Sequence, residues 1–140
     1  MLLTSAFLCD FAEVREGMLF ALAGGISRLW RPTYPALLNV FLATLVELDA
    51  EELDRPHEFR VNVLDQDERV VSFTVGGFNL GNVTDRAPGE SVTVPIVIDL
   101  RGAALPGPGA YTVDVRFSGE SMRRLGLRAL EGMPPGISVY

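Results

Sequence analysis

Hydrophobic and polar residues alternate with a period of two near the end of the chain. Within residues 109–118, four apolar side chains fall on one side, and polar ones lie between them: Tyr111, Val113, Val115 and Phe117. This period is typical of a β-strand with one buried face. Prolines and glycines at 106–109 mark its start, and residues 118–120 supply a tight reversal. The pattern predicts a β-hairpin, which the apolar residues Leu125 and Leu127 complete.

Two earlier segments show the same alternation. The first begins at His57 and places Phe59, Val61 and Val63 inward, turns at residues 65–68, and returns through Val71, Phe73 and Val75. The glycines at 76–77 indicate a bulge or a strand end. The second runs over residues 92–100, with inward positions at Val92, Val94, Ile96, Ile98 and Leu100. Because proline cannot donate to a ladder, Pro95 predicts an edge strand or a bulge.

The first third of the chain is less regular. Apolar residues at 2–9 and 18–23 flank a polar reversal at 13–17, and this arrangement favours a hairpin. A helix fits the apolar spacing too, but Gly17 and the glycines at 24–25 disfavour it. Residues 37–48 are apolar on both faces, which is typical of a central strand covered on each side, although a helix is possible by pattern alone.

About eight strands, short turns and at most short helical turns favour an all-β fold. We predict an antiparallel two-sheet β-sandwich, immunoglobulin-like or a similar Greek key. A single domain is expected over residues 1–130, followed by a C-terminal tail at 131–140.

Composition and charge narrow the classes of partner. The net charge of −6 argues against a nucleic-acid or anionic-membrane surface, because phosphates need concentrated positive charge. No apolar run reaches the roughly 18 residues of a transmembrane helix, and the N-terminus lacks the basic region of a secretory signal. The single cysteine, Cys9, excludes an intrachain disulfide, so a cytoplasmic location is expected. No cofactor motif is present in the sequence.

The main candidate for binding is a group of aromatic and cationic residues, namely Arg28, Trp30, Arg31 and Tyr34. If exposed, such a group can stack a sugar, a base or a partner's side chain. The alternative is that Trp30 packs over an open end of the sandwich while the arginines extend to solvent.

The acidic turn is a weaker candidate. Asp65, Asp67 and Glu68 offer oxygen ligands that suit Ca²⁺. The further ligands of an EF-hand loop are missing, however, and acidic residues are common at hairpin tips for conformational reasons.

Catalysis has little support in the sequence. His57 is the only histidine, so any triad or histidine metal site would require it, and its place beside Pro56 favours a structural hydrogen bond. Cys9 lies in an apolar run, where a thiol behaves as a small hydrophobic residue. We therefore assign no catalytic residue and no metal.

Three stretches of sequence resemble a family of small uncharacterised bacterial proteins. They are LCDFAEVREGMLFALAGGISRLW, RPHEFRVNVLDQDERVV and PIVIDLRGAALPGPGAYTVDVRFSGE. The resemblance extends to about Leu130. It implies a single β-sandwich of bacterial origin, and it implies no activity, cofactor or functional residue.

Two functions remain open. The first is a non-enzymatic interaction module that binds a protein partner or itself, most simply as a homodimer, because the chain has apolar surface to spare. The second is a small-ligand binding protein, for example for carbohydrate, or a hydrolase that uses Trp30, Arg28 and Arg31. That alternative requires a pocket joining them to His57 or the Asp65 turn.

Overall fold

The chain folds almost entirely into β-strands. The computed structural model describes residues 1–81 and 83–136, and these contain twelve strands and one 3₁₀ turn, Ala50–Glu52. The strands are β1 (Leu2–Cys9), β2 (Phe11–Arg15), β3 (Met18–Leu22), β4 (Arg28–Arg31), β5 (Ala36–Leu37), β6 (Phe41–Leu48), β7 (His57–Leu64), β8 (Val70–Phe78), β9 (Val92–Asp99), β10 (Ala104–Leu105), β11 (Gly109–Phe117) and β12 (Glu120–Glu131).

The strands form four hydrogen-bonded sheets. A five-stranded sheet has the order β4-β12-β11-β7-β8, and a three-stranded sheet has the order β1-β6-β9. Two small sheets pair β2 with β3 and β5 with β10. All pairs are antiparallel except β4 with β12, which is parallel. The all-β prediction is confirmed, whereas the described chain has more strands and more sheets than the expected two-sheet arrangement of about eight strands.

The main hydrophobic core joins residues of the two larger sheets. Leu42 and Val46 from the three-stranded sheet and Val61, Val113 and Val115 from the five-stranded sheet are all 0% exposed and belong to one cluster. The inward faces predicted for β7, β9 and β11 supply this core. Side chains of this kind contribute roughly 1.5–3 kcal/mol each when fully buried.

A second, smaller core explains why β6 is apolar on both sides. Cys9, Ala12, Phe41 and Ala43 pack together beneath the hairpin formed by β2 and β3. The prediction of a central, doubly covered strand is therefore confirmed for β6. The first hairpin differs from expectation, because its arms are β2 and β3, while β1 pairs with β6.

The later hairpins follow the sequence pattern. β11 and β12 reverse through residues 118–119, and β7 and β8 reverse through residues 65–69. Pro95 lies in β9, which is an edge of the three-stranded sheet among the residues that the structure describes, so the predicted edge position is confirmed.

The glycines at 76–77 form no bulge, contrary to one of the two expectations. They lie near the end of β8 in regular register with β7. A Cβ on Gly76 would stand 2.5 Å from Cζ of Phe59, and a Cβ on Gly77 would stand 2.9 Å from the His57 carbonyl oxygen. Neighbouring atoms therefore leave too little space for a Cβ at either position, which explains why both residues are glycine.

The ends of the expected domain are only partly described. β12 continues to Glu131, one residue past the expected boundary, and residues 137–140 of the predicted tail lie outside the described residues. Within the described part of the chain, no helix has the length and apolar character needed to cross a membrane.

Candidate interaction surface

β8 forms one edge of the five-stranded sheet and differs from the edges formed by β4 and β9. β1 is an uncharged edge as well, but the amides of Gly25 and Ile26 already donate to its Leu8 carbonyl oxygen. It has nine residues, VVSFTVGGF, with no charge and no proline. Proteins usually protect sheet edges with charged residues, proline, bulges or short strands, because an open edge presents unpaired N–H and C=O groups. β9 carries Pro95, and β4 has four residues with an arginine at each end. β8 has one such device, a register shift near Val71, which leaves residues 72–78 regular.

The polarity of β8 is the reverse of that expected for an edge strand. Ser72, Thr74 and Gly76 pair with inward-facing residues of β7, so polar or small groups point toward the core. Phe73 and Val75 point outward and are 56% and 60% exposed. Half-exposed antiparallel strands normally place apolar residues inward and polar residues outward. The outward face of β8 is thus apolar beside an open backbone edge.

Arg60 of the neighbouring strand β7 borders this apolar face. Its guanidinium carbon lies 4.3 Å from the centroid of the Phe73 ring, and its Nε donates to Oδ1 of Asn62 at 2.7 Å. A shallow groove of about 510 Å³ lies between Arg60 and residues 70–73. The contact holds the Phe73 ring in place while leaving more than half of the side chain exposed.

The middle of the same outer face is polar and internally paired. Asp114 is only 6% exposed and accepts from Nη1 of Arg116 at 3.1 Å and from Oγ of Ser121 at 2.5 Å. Arg124 donates to Oε2 of Glu68 at 2.5 Å, which raises the pKa of the Arg124 guanidinium further above its ordinary value. These contacts provide the polar side chains in the middle of this face with partners from the same chain.

The structure separates the four residues of the predicted aromatic–cationic cluster. Arg28 is exposed and Trp30 is half-buried, and both project from the outer face of β4. Arg31 instead donates three hydrogen bonds, to the carbonyl oxygens of Trp30 at 2.9 Å, Leu37 at 3.1 Å and Leu38 at 2.7 Å. Its guanidinium therefore holds the 31–38 segment in place.

Tyr34 has a similar structural contact. Its hydroxyl donates to the Leu130 carbonyl oxygen at 2.9 Å, which ties the 31–38 segment to β12. Burial is the largest cause of a raised pKa for this hydroxyl. Of the four predicted binding residues, Arg28 and Trp30 are thus the two whose side chains remain directed to the surface.

The acidic turn holds its own backbone. Oδ1 of Asp65 accepts from the amides of Asp67 at 2.9 Å and Arg69 at 3.0 Å, which is ordinary turn chemistry. Glu68 is directed to Arg124. Among residues 1–81 and 83–136, no three carboxylate, histidine or cysteine side chains converge as metal ligands. The calcium site considered for Asp65, Asp67 and Glu68 stays a prediction.

His57 and Cys9 are both buried and have structural partners. Nε2 of His57 lies 2.7 Å from the Glu52 carbonyl oxygen, and the ring stacks on Phe78 at 5.3 Å. The Cys9 thiol lies 3.6 Å from the Phe41 carbonyl oxygen. Burial, and secondarily the charge of Asp10, raises the pKa of this thiol, which disfavours the reactive thiolate. His57 faces the core from β7 and Trp30 faces outward from β4, with two strands between them, so the structure does not bring them together.

The hairpin of β2 and β3 presents a second apolar surface. Its large exposed residues are Phe11, Val14, Met18, Phe20 and Leu22. β2 also carries Glu13 and Arg15, which form an ion pair at 3.5 Å beside them. This surface has charges at its margin and strands of only five residues, so it is less suited than β8 to pairing with another strand.

Sequence reasoning did not identify β8 as a candidate site. The alternation predicted the strand, but it could not show that β8 lies at a sheet edge, since strand order depends on contacts distant in sequence. One signal was available, because the segment 70–78 contains no charged residue.

Comparison with known proteins identifies a family without an assigned activity. Residues 4–130 match a family model described as a family of unknown function, DUF6941. No curated protein and no solved structure matches the chain significantly. The resemblance to uncharacterised proteins drawn from the sequence motifs is confirmed on this point.

Proposed function

Because the chain belongs to the DUF6941 family, whose function is unknown, we propose a function from its geometry: a non-enzymatic interaction module that forms a homodimer through β8. The observation that carries the proposal is an open, uncharged sheet edge whose outward side chains, Phe73 and Val75, are apolar. An unpaired strand edge is completed by another extended strand, which supplies the missing backbone partners.

A second copy of β8 fits this edge because the strand is nearly self-complementary. In an antiparallel pair with its two-fold axis at Thr74, Phe73 of one copy lies opposite Val75 of the other, twice by symmetry. Ser72 then lies opposite Gly76. Aromatic and β-branched residues facing each other across strands are favourable pairs. The two five-stranded sheets would become one continuous sheet of ten strands.

Charge also favours self-association at this edge. The whole chain carries −6, so two copies repel each other over most approaches. β8 contains no charged residue, and the cationic Arg60 of β7 borders the outward ring of Phe73. Since one strand pair buries less than the roughly 1,200 Å² of a standard interface, we expect a dimer that dissociates on dilution.

Charge substitution at the two outward positions tests the dimer and its register together. In F73E/V75E, carboxylates meet carboxylates across the two-fold axis, so we expect a monomer. In F73K/V75E, the proposed register places a lysine opposite a glutamate twice, so we expect the dimer to return. Sedimentation equilibrium of wild type and both variants measures the outcome.

A matched control places charges on the other apolar surface. F20E/L22E alters two exposed residues of β3 and should leave the dimer unchanged. A wild-type protein that stays monomeric at high concentration would contradict the proposal. Equal behaviour of F73K/V75E and F73E/V75E would contradict the register, and loss of the dimer in F20E/L22E would assign it to the hairpin instead.

The proposal also includes the fold type, the origin and the cellular location that were expected from the sequence. We propose that the two larger sheets form a sandwich of immunoglobulin-like or similar Greek-key type, supported by the single core that their residues share. A bacterial origin and a cytoplasmic location are proposed with it, the latter supported by the single, buried Cys9.

A further inference from the structure

The parallel pairing of β4 and β12 places two arginines side by side. Arg28 is in register with Arg128, and both side chains are exposed. The next residues along each strand, Leu29 and Ala129, are buried at 6% and 1%, so the arginines share the outer face of the sheet. The two positions are a hundred residues apart in the chain, and only the sheet brings them together.

Neighbouring like charges are unfavourable in a sheet unless something neutralises them. The arginines nearer the centre of this face have such partners, Arg116 with Asp114 and Arg124 with Glu68. Over residues 1–81 and 83–136, no ion pair and no side-chain hydrogen bond involves Arg28 or Arg128. The fold thus pairs Arg116 and Arg124 with carboxylates and leaves the adjacent guanidiniums of Arg28 and Arg128 without anionic partners.

An aromatic surface continues from this pair on the same face. Trp30 and Leu130 are two residues further along their strands, are in register with each other, and are half-buried. The two guanidinium groups therefore lie beside an indole ring and an aliphatic side chain. A bare phosphate would use only the arginines, whereas a peptide with carboxylate and apolar side chains would use both parts.

We propose that Arg28, Arg128 and Trp30 bind an acidic peptide segment of a partner protein. Carboxylates of the segment pair with the two guanidiniums, and an apolar side chain of the segment lies on Trp30 and Leu130. This surface is at the β4 edge of the sheet, and the proposed dimer uses the β8 edge, so either can fail without the other.

Trp30 is the only tryptophan, so its fluorescence reports binding at this surface directly. The titrant is an acetylated peptide of alternating glutamate and leucine, compared with its glutamine analogue, inorganic phosphate and a single-stranded oligonucleotide. We expect a saturable change in Trp30 emission with the glutamate peptide alone. In R28Q/R128Q, affinity should fall by about tenfold or more while the melting temperature does not fall, because repulsion is relieved.

R15Q/R55Q is the matched control, since it removes the same charge from two exposed arginines outside this sheet and should bind as wild type does. The proposal is overturned if the glutamine peptide binds equally, if R28Q/R128Q binds as wild type does, or if no titrant changes the emission. Tighter binding of phosphate or of the oligonucleotide than of the glutamate peptide would also overturn it.

Discussion

Asp114 shows that an alternating pattern predicts the direction of a side chain but not its burial. The sequence places it on the solvent side of β11, and its direction in the sheet agrees with that. Yet the side chain is 6% exposed, because Arg116 and Ser121 cover it from the same face. Periodicity gives the direction of a side chain, whereas its burial depends on which neighbours the sheet brings beside it.

Replacing Asp114 by alanine should destabilise the protein clearly. The substitution removes two hydrogen bonds to a charged group that water reaches poorly. Hydrogen bonds to charged groups contribute about 1.5–3 kcal/mol each, so we expect the loss of both to lower the free energy of unfolding by about 3 kcal/mol. Urea denaturation measures it.

Asp99 provides the comparison for that measurement. It pairs with Arg101 at 2.9 Å, which lowers the pKa of the Asp99 carboxyl, but both side chains are more than half exposed. D99A should therefore lower the free energy of unfolding by less than about 1 kcal/mol. Equal losses for D99A and D114A would show that the burial of Asp114 has no energetic importance.

At the scale of elements, local pattern predicted strands and turns but not their partners. The hairpins β7–β8 and β11–β12 were predictable because short polar turns join their arms. β1 was expected to join the first hairpin, and it pairs with β6, more than thirty residues away, by a register that no local signal specifies. The outward apolar face of β8 has the same origin, since edge position follows from strand order.

The glycine of β8 that faces Phe59 gives a prediction at this scale. In G76A, the new Cβ would lie 2.5 Å from Cζ of Phe59, whose ring packs against Phe117 at 6.3 Å between centroids. The half-buried ring would have to shift against Phe117, so we expect a destabilisation of about 1–3 kcal/mol, typical of overpacking. Thermal and urea unfolding of the variant test this expectation.

Gly126 of β12 is the matched position for that substitution. It also lies within a strand of the five-stranded sheet, and a Cβ there would meet no atom within 4 Å. G126A should be neutral or slightly stabilising, because alanine lowers the entropy of the unfolded chain. A neutral G76A, or equal losses at both positions, would contradict the steric role of Gly76.

At the scale of the whole molecule, sequence patterns reveal only part of the candidate surfaces. Arg28 and Arg31 look equivalent along the chain. Because they are three residues apart in a strand, their side chains point to opposite faces of the sheet, and Arg31 donates to backbone carbonyl oxygens instead. The residue that does join Arg28 is Arg128, which no spacing rule could connect to it. Surfaces assembled from distant strands become visible only with the sheet order.

Concentration-dependent hydrogen exchange tests most directly whether β8 pairs with a second copy. In the proposed dimer, the β8 amides that point away from β7 within residues 72–76 gain partners, so their exchange should slow markedly as protein concentration rises. The amides of β2 and β3 should not change. Exchange in β8 that is independent of concentration, under conditions where sedimentation detects a dimer, would contradict the proposal.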